Sequence, residues 1–135
     1  MTTLKKNILL VDDDIDYLFQ MRIRLEQFGY SVTTAESQRE AEKILEKFKP
    51  DIAIIDLMME NEDSGFVLSY KLKRKYPDVP VIIATAVAAE TGITFDIQDE
   101  NNRKWIRADA FLDKGIRTDI LKNEIEKLLN EKKNQ

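Results

Sequence analysis

Five short apolar runs, each separated from the next by a stretch of helical periodicity, constrain this chain more than any other feature. The runs are Asn7–Val11, Ser31–Ala35, Ile52–Ile55, Val81–Ala84 and Ala110–Leu112. Strands that alternate with helices predict a parallel sheet with crossover helices on both faces. Ile8-Leu9-Leu10-Val11, Ile52-Ala53-Ile54-Ile55 and Val81-Ile82-Ile83-Ala84 are apolar without interruption, the pattern of strands covered on both sides.

The helical stretches carry their own punctuation. Leu18, Met21, Leu25 and Phe28 keep helical spacing, and Gly29 follows where a left-handed cap would sit. A second helix carries Ala41, Ile44, Leu45 and Phe48; it opens on the capping-box pair Ser37 and Glu40 and is stopped by Pro50. A third runs from about Gly65 to Tyr76 before Pro77, and a last one carries Leu121, Ile125, Leu128 and Leu129. Between Ala88 and Arg107 the pattern weakens, and Phe95–Lys104 is mostly polar, so a helix there is expected to be short, displaced or partly replaced by loop. With 135 residues, 43% of them apolar, the chain reads as one domain over 1–135, its core spanning about 6–130 and a polar tail at 131–135 expected to fray.

Composition removes several chemistries. The chain has no cysteine and no histidine, which excludes disulfides, thiolate or imidazole metal ligands, and histidine acid–base catalysis. Lys and Arg total 21 against 25 Asp and Glu, a net charge of −4, so no basic surface for nucleic acid is implied. No stretch approaches the roughly 20 apolar residues of a membrane span, and Met1–Asn7 leads into no signal-peptide core. A soluble, cytoplasmic location with no membrane partner is the expectation.

In an open parallel sheet, ligands bind beyond the carboxyl ends of the strands, where strand order reverses. Asp12-Asp13-Asp14 follow the first run, Asp56 ends the third, Thr85 ends the fourth and Lys114 follows the fifth. Taken singly, the aspartates read as helix caps or turn residues, Thr85 as a strand former and Lys114 as a solvated charge. Together they crowd carboxylates onto one rim, where mutual repulsion calls for a cation. With oxygen ligands only, Mg²⁺ is the favoured ion. Asp56 would then be a nucleophile toward phosphorus, with Lys114 offsetting charge on the phosphoryl oxygens and the Thr85 hydroxyl bonding one of them after transfer.

Ile8-Leu9-Leu10-Val11-Asp12-Asp13-Asp14, Asp51-Ile-Ala-Ile-Ile-Asp56-Leu-Met-Met, Val81-Ile-Ile-Ala-Thr85-Ala86 and Ala108-Asp-Ala-Phe111-Leu-Asp-Lys114 resemble the receiver domain of two-component response regulators. The resemblance implies a flavodoxin-like α/β fold, (βα)5, with a doubly wound five-stranded parallel sheet of order 2-1-3-4-5 and five helices. It implies Mg²⁺ held by Asp12, Asp13 (favoured as the direct ligand of the pair), Asp56 and the backbone carbonyl of Met58. It further implies phosphorylation of Asp56, Thr85 as the switch hydroxyl, Lys114 as the phosphate-binding lysine and Phe111 as the aromatic that changes rotamer; read from the residue alone, Phe111 is a core or rim aromatic. The implied function is a stand-alone signalling domain rather than an enzyme. It would take its phosphoryl group from a histidine kinase, a phosphotransfer protein or a small phosphodonor, and act on a downstream protein, with a homodimer as a further candidate.

Three departures from the family pattern stand out. Glu60 occupies the usual proline position in a loop that reads one residue longer, Gly115 replaces the proline after the lysine, and 28 residues separate Thr85 from Lys114, several more than usual. Gly115 predicts a less rigidly held lysine. The long segment predicts either a non-standard output surface anchored by Trp105 or a solvated insertion. Met58 and Val87 occupy the positions that tune hydrolysis in the family, and neither can orient a water, which predicts a long-lived phosphoryl group.

Three other readings compete. An aspartate-nucleophile phosphatase of the haloacid dehalogenase type would need an Asp-x-Asp first motif with a following small residue and a further acidic pair after the lysine, where this chain has Gly115-Ile-Arg-Thr and then only Asp119. A flavin or nucleotide binder would need a glycine-rich loop, whereas the glycines at 29, 65, 92 and 115 are scattered. A non-phosphorylated pseudo-receiver scaffold would be expected to lack part of the acidic set.

Overall fold

The computed structural model describes residues 5–57, 59–61, 63–85 and 108–133, with backbone only for Thr85 and 131–133. In chain order these form β1 (Asn7–Val11), α1 (Ile15–Gln27), β2 (Ser31–Ala35), α2 (Gln38–Lys47), β3 (Ile52–Asp56), α3 (Ser64–Lys75), β4 (Val81–Thr85), β5 (Ala110–Asp113) and α4 (Thr118–Lys133). All five strands are parallel, in the order β2-β1-β3-β4-β5. Every apolar run is a strand, and β3, β4 and β5 each run one residue further than their apolar stretch, to Asp56, Thr85 and Asp113. The expectations for Ala88–Arg107, including Trp105 and the weakened helix, lie outside the described residues.

Alternation along the strands divides the interior in two. Leu9, Val11, Ala53, Ile55, Val81 and Ile83 pack with Ala41, Leu45, Leu68 and Leu72 of α2 and α3. Ile8, Leu10, Ile52, Ile54, Ile82 and Ala84 pack with Leu18, Met21, Leu25, Leu121, Ile125 and Leu128 of α1 and α4. The central strands are therefore buried on both faces, which is why they read as unbroken apolar runs.

Helix ends follow local chemistry. Asp14 caps α1, its Oδ1 accepting from Tyr17 N at 3.2 Å. At the other end Gly29, at φ +99°, donates to Glu26 O and Tyr30 N donates to Leu25 O, a Schellman closure. Ser37 caps α2, as the sequence predicts, with Oγ accepting from Glu40 N at 3.0 Å; the Glu40 carboxylate reaches back to Glu36 N rather than to Ser37 N. α4 continues through Lys133, into the polar stretch 131–135. Residues 130–133 sit within about one turn of the buried Leu128 and Leu129, and lysines suit the negative end of a helix.

At the amino edge of the sheet, two carboxylates take up strand-start donors. Asn7 N donates to Asp51 Oδ2 and Val81 N to Asp109 Oδ2, both at 2.7 Å, and Lys73 Nζ balances Asp109 at 2.7 Å. The opposite edge keeps its carboxylates for other work.

Candidate functional site

β1 sits between β2 and β3, so the chain leaves it first to one side and then to the other, and a crevice opens beyond the carboxyl ends of β1 and β3. Each successive aspartate after β1 does something different. Asp12 N continues the ladder to Ala35 O at 3.1 Å, and its side chain is 1% exposed with Oδ1 accepting from Asp14 N at 2.9 Å. Asp13 is exposed, and Asp14 is the α1 cap. The capping reading of the acidic run thus falls to Asp14 alone, and Asp12 and Asp13 remain for the crevice.

Asp56 ends β3 and is 7% exposed. The next residue is pinned on both sides, with Leu57 N donating to Ala84 O at 3.2 Å and Leu57 O accepting from Gly65 N at 2.7 Å. Lys114 follows β5 and reaches across the rim, its Nζ 2.7 Å from Asp12 Oδ2, 3.0 Å from Asp56 Oδ1 and 4.8 Å from the centroid of the Tyr17 ring. The lysine thus meets two carboxylates and the face of a ring. The turn after it is closed by Gly115 N donating to Asp113 Oδ1 at 2.7 Å, a bond that a proline at 115 could not make. No sequence signal pairs Tyr17 with Lys114, because the contact forms only when α1 and β5 meet at the crevice.

Thr85 ends β4 in register with Asp113, which places its backbone on the same rim; its side chain and the whole of Met58 lie outside the described residues. Phe111 is half-buried in β5 and meets Phe66 of α3 edge to face, the centroids 6.1 Å apart. It packs against the α2/α3 core, as its reading from the residue alone supposes.

Burial and crowding set the electrostatics. Asp56 is pushed up to about 6, first by burial and then by the Asp12 charge, with Lys114 pulling the other way. Asp12 is raised as well, mainly by burial, against the opposing pull of Lys114 and of the Asp14 backbone. For Lys114, burial favours the neutral amine, yet its bonds to Asp12 and Asp56 outweigh this and raise it. Away from the crevice, Glu60 is lowered: partial burial acts upward, and the backbone donors of Gln38 and Arg39 overcome it.

The donor set suits a hard divalent cation. One carboxylate oxygen each from Asp12, Asp13 and Asp56 can lie within 4.8 Å of one another, and Asp12 Oδ2, buried, is met by the Lys114 ammonium at 2.7 Å. A buried carboxylate oxygen with spare lone pairs among like charges is a place where a cation relieves repulsion.

Residues 8–126 match the family model of the response regulator receiver domain. The chain belongs to this family. In two-component systems, receiver domains bind Mg²⁺ at an acidic pocket of this kind and interact with histidine kinases and downstream effectors. The chain is 44% identical over 80 residues to the transcriptional regulatory protein GlrR of Escherichia coli (strain K12), covering 59% of this chain and 18% of that protein. It is 32% identical over 130 residues to the "Probable transcriptional regulator ycf27" of Cyanophora paradoxa, covering 96% of this chain and 51% of the relative. The chain therefore spans from about a fifth to about half of these relatives.

Among solved structures, the CheY-like receiver domain protein from Methanospirillum hungatei JF-1 superposes with a TM-score of 0.81 at 24% identity, over 97% of this chain and 98% of that one. TrrA from Thermotoga maritima, solved in complex with Mg(2+)-BeF, superposes with a TM-score of 0.74 at 27% identity, over 91% of this chain and 98% of that one. The flavodoxin-like order expected of this receiver is the order observed.

Proposed function

We propose that this receiver accepts a phosphoryl group on Asp56 from a histidine kinase, a phosphotransfer protein or a small phosphodonor, and signals by a change of shape to a protein partner. The observation that carries the reading is the convergence of buried Asp12, buried Asp56 and the Lys114 ammonium within 3.0 Å contacts at the strand ends. Asp56 forms a P–O bond as the P–N bond of a phosphohistidine, or the P–O bond of an acyl phosphate, breaks and the leaving group departs with its electron pair. Lys114, already beside Asp56 Oδ1, offsets charge on the phosphoryl oxygens. Asp12, Asp13, Asp56 and the Met58 carbonyl would hold Mg²⁺, which supplies further charge neutralisation when bound. Thr85 and Phe111 are the switch pair.

The TrrA complex with Mg(2+)-BeF supports Mg²⁺ as the ion by kinship. Output through a protein suits the net charge of −4, and the relatives named as transcriptional regulators make a regulator of transcription a reasonable destination for the signal. Among the described residues no helix is long and apolar enough to cross a membrane.

Incubation with acetyl phosphate and Mg²⁺ is expected to add one phosphoryl group by intact mass, and neither the Asp56→Asn variant nor a Mg²⁺-free sample should gain it. A wild type that stays unmodified while folded would favour the scaffold reading. A second expectation concerns lifetime. Met58→Asn combined with Val87→Glu should speed dephosphorylation by at least about tenfold, since both introduce groups that can orient water. Unchanged decay of the phosphorylated form would remove the claim of a long-lived state.

A further inference from the structure

Glu60 lies in the loop that leaves Asp56, yet its side chain is spent on another element. Oε1 accepts from Gln38 N at 2.8 Å and Oε2 from Arg39 N at 3.1 Å, the first two residues of α2. With Ser37 Oγ on Glu40 N, the first three amides of α2 are all satisfied by side chains, two of them by a residue more than twenty positions away. A helix start needs only local caps, and Ser37 already provides one. The distant carboxylate therefore does something a local cap does not: it ties the loop between β3 and α3 to α2.

Among the described residues the loop has other fastenings, one of them Met59, which packs against the α2/α3 core and whose N donates to Asn61 O at 3.2 Å. Leu57 is held by Ala84 O and Gly65 N, and Asn61 N donates to Ser64 Oγ at 2.9 Å. Among the described residues between them, Glu60 bonds a different helix through its side chain, and the positive end of the α2 dipole strengthens the bond to its charge.

We infer that Glu60 is a positioning residue, an outrigger that holds the Asp56 loop in the shape that takes up Mg²⁺ and so permits phosphorylation. The inference rests on the reading of Asp56 and its neighbours as an Mg²⁺-dependent phosphoacceptor site. Groups bonded directly to metal ligands typically change metal affinity ten- to a hundredfold when lost, and Glu60, acting one step further out through the loop, is expected at the low end of that range.

The test sets Glu60→Ala beside Ser37→Ala. Both remove a cap from the same helix end, and only the first frees the loop. Calorimetric titration with MgCl₂ should show Mg²⁺ binding weakened by about tenfold in Glu60→Ala and unchanged in Ser37→Ala, although thermal unfolding shifts down in both. The rate of phosphoryl gain from acetyl phosphate at subsaturating Mg²⁺ should fall in the same variant alone, and excess Mg²⁺ should restore it. If Glu60→Ala fails to fold, Glu60→Gln, which keeps one acceptor, carries the same comparison with a loss of about threefold. Equal Mg²⁺ affinity in Glu60→Ala and wild type, or an equal loss in Ser37→Ala, would overturn the inference while leaving the phosphoacceptor reading intact. A wild type that binds no Mg²⁺ would remove both.

Discussion

Replacing Gly65 with alanine is expected to cost about 3 kcal/mol or more of stability and to impair phosphorylation of whatever remains folded. A Cβ at this position would sit 2.5 Å from Asp56 O, 2.7 Å from Leu57 Cα and 2.9 Å from Leu57 O, all of them main-chain atoms. A clash with a side-chain tip can be relieved by a rotamer change, but a clash with backbone moves the backbone. Here the displaced atoms belong to the phosphoacceptor and its neighbour, and Gly65 N would also be pried from Leu57 O, which it bonds at 2.7 Å. Gly29→Ala is the control, because nothing lies within 4 Å of its Cβ and its φ of +99° leaves only left-handed strain, worth about 1 kcal/mol. Urea unfolding followed by circular dichroism, with phosphoryl gain measured by mass, separates the two. A Gly65→Ala protein with the wild-type midpoint would mean that α3 can lift off β3 without cost, and the packing argument would be wrong.

How far such features can be read in advance depends on their range in sequence. Strands β1, β3 and β4 were legible because burial on both faces writes itself as an uninterrupted apolar run, and the Schellman end of α1 because Gly29 follows Phe28 directly. The rim of Asp12, Asp13, Asp56, Thr85 and Lys114 was legible from strand ends and the rule for parallel sheets. Long-range partnerships were not. Glu60 stands out in sequence only as an odd residue in its loop, since the amides it caps belong to Gln38 and Arg39, far back in the chain. The partners of Lys114 were out of reach for the same reason: Asp12, Asp56 and Tyr17 each lie on a different element.

Lys114→Met, which shortens the side chain by one atom and removes its charge, should destabilise the Mg²⁺-free receiver by about 3 kcal/mol near pH 8. Asp12 and Asp56 are almost fully buried, and the ammonium is the cation that lets both stay ionised. The sign of the pH dependence follows from the raised carboxyls. A carboxyl whose folded value exceeds its unfolded one favours the folded state in its protonated form, so its contribution is full below the unfolded value and is lost as pH rises through the folded value. For Asp56, a rise from 3.8 to about 6 corresponds to roughly 3 kcal/mol lost over that interval. Without Lys114 the folded values rise further, the pair shares a proton, and the deficit should therefore shrink as pH is lowered toward about 5. Asp56→Asn should act in the opposite sense, stabilising the Mg²⁺-free protein at neutral pH by up to roughly 3 kcal/mol, because it deletes one of the two repelling charges. Asp56→Asn abolishes phosphorylation and Lys114→Met weakens it, yet they move stability in opposite directions, so urea midpoints at about pH 8 and about pH 5 isolate the charge balance from the chemistry. If Lys114→Met matched wild type near pH 8, something other than the ammonium would be holding the pair ionised. Added Mg²⁺ should narrow the difference between the variant and wild type, since the cation takes over the neutralisation that Lys114 provides in its absence.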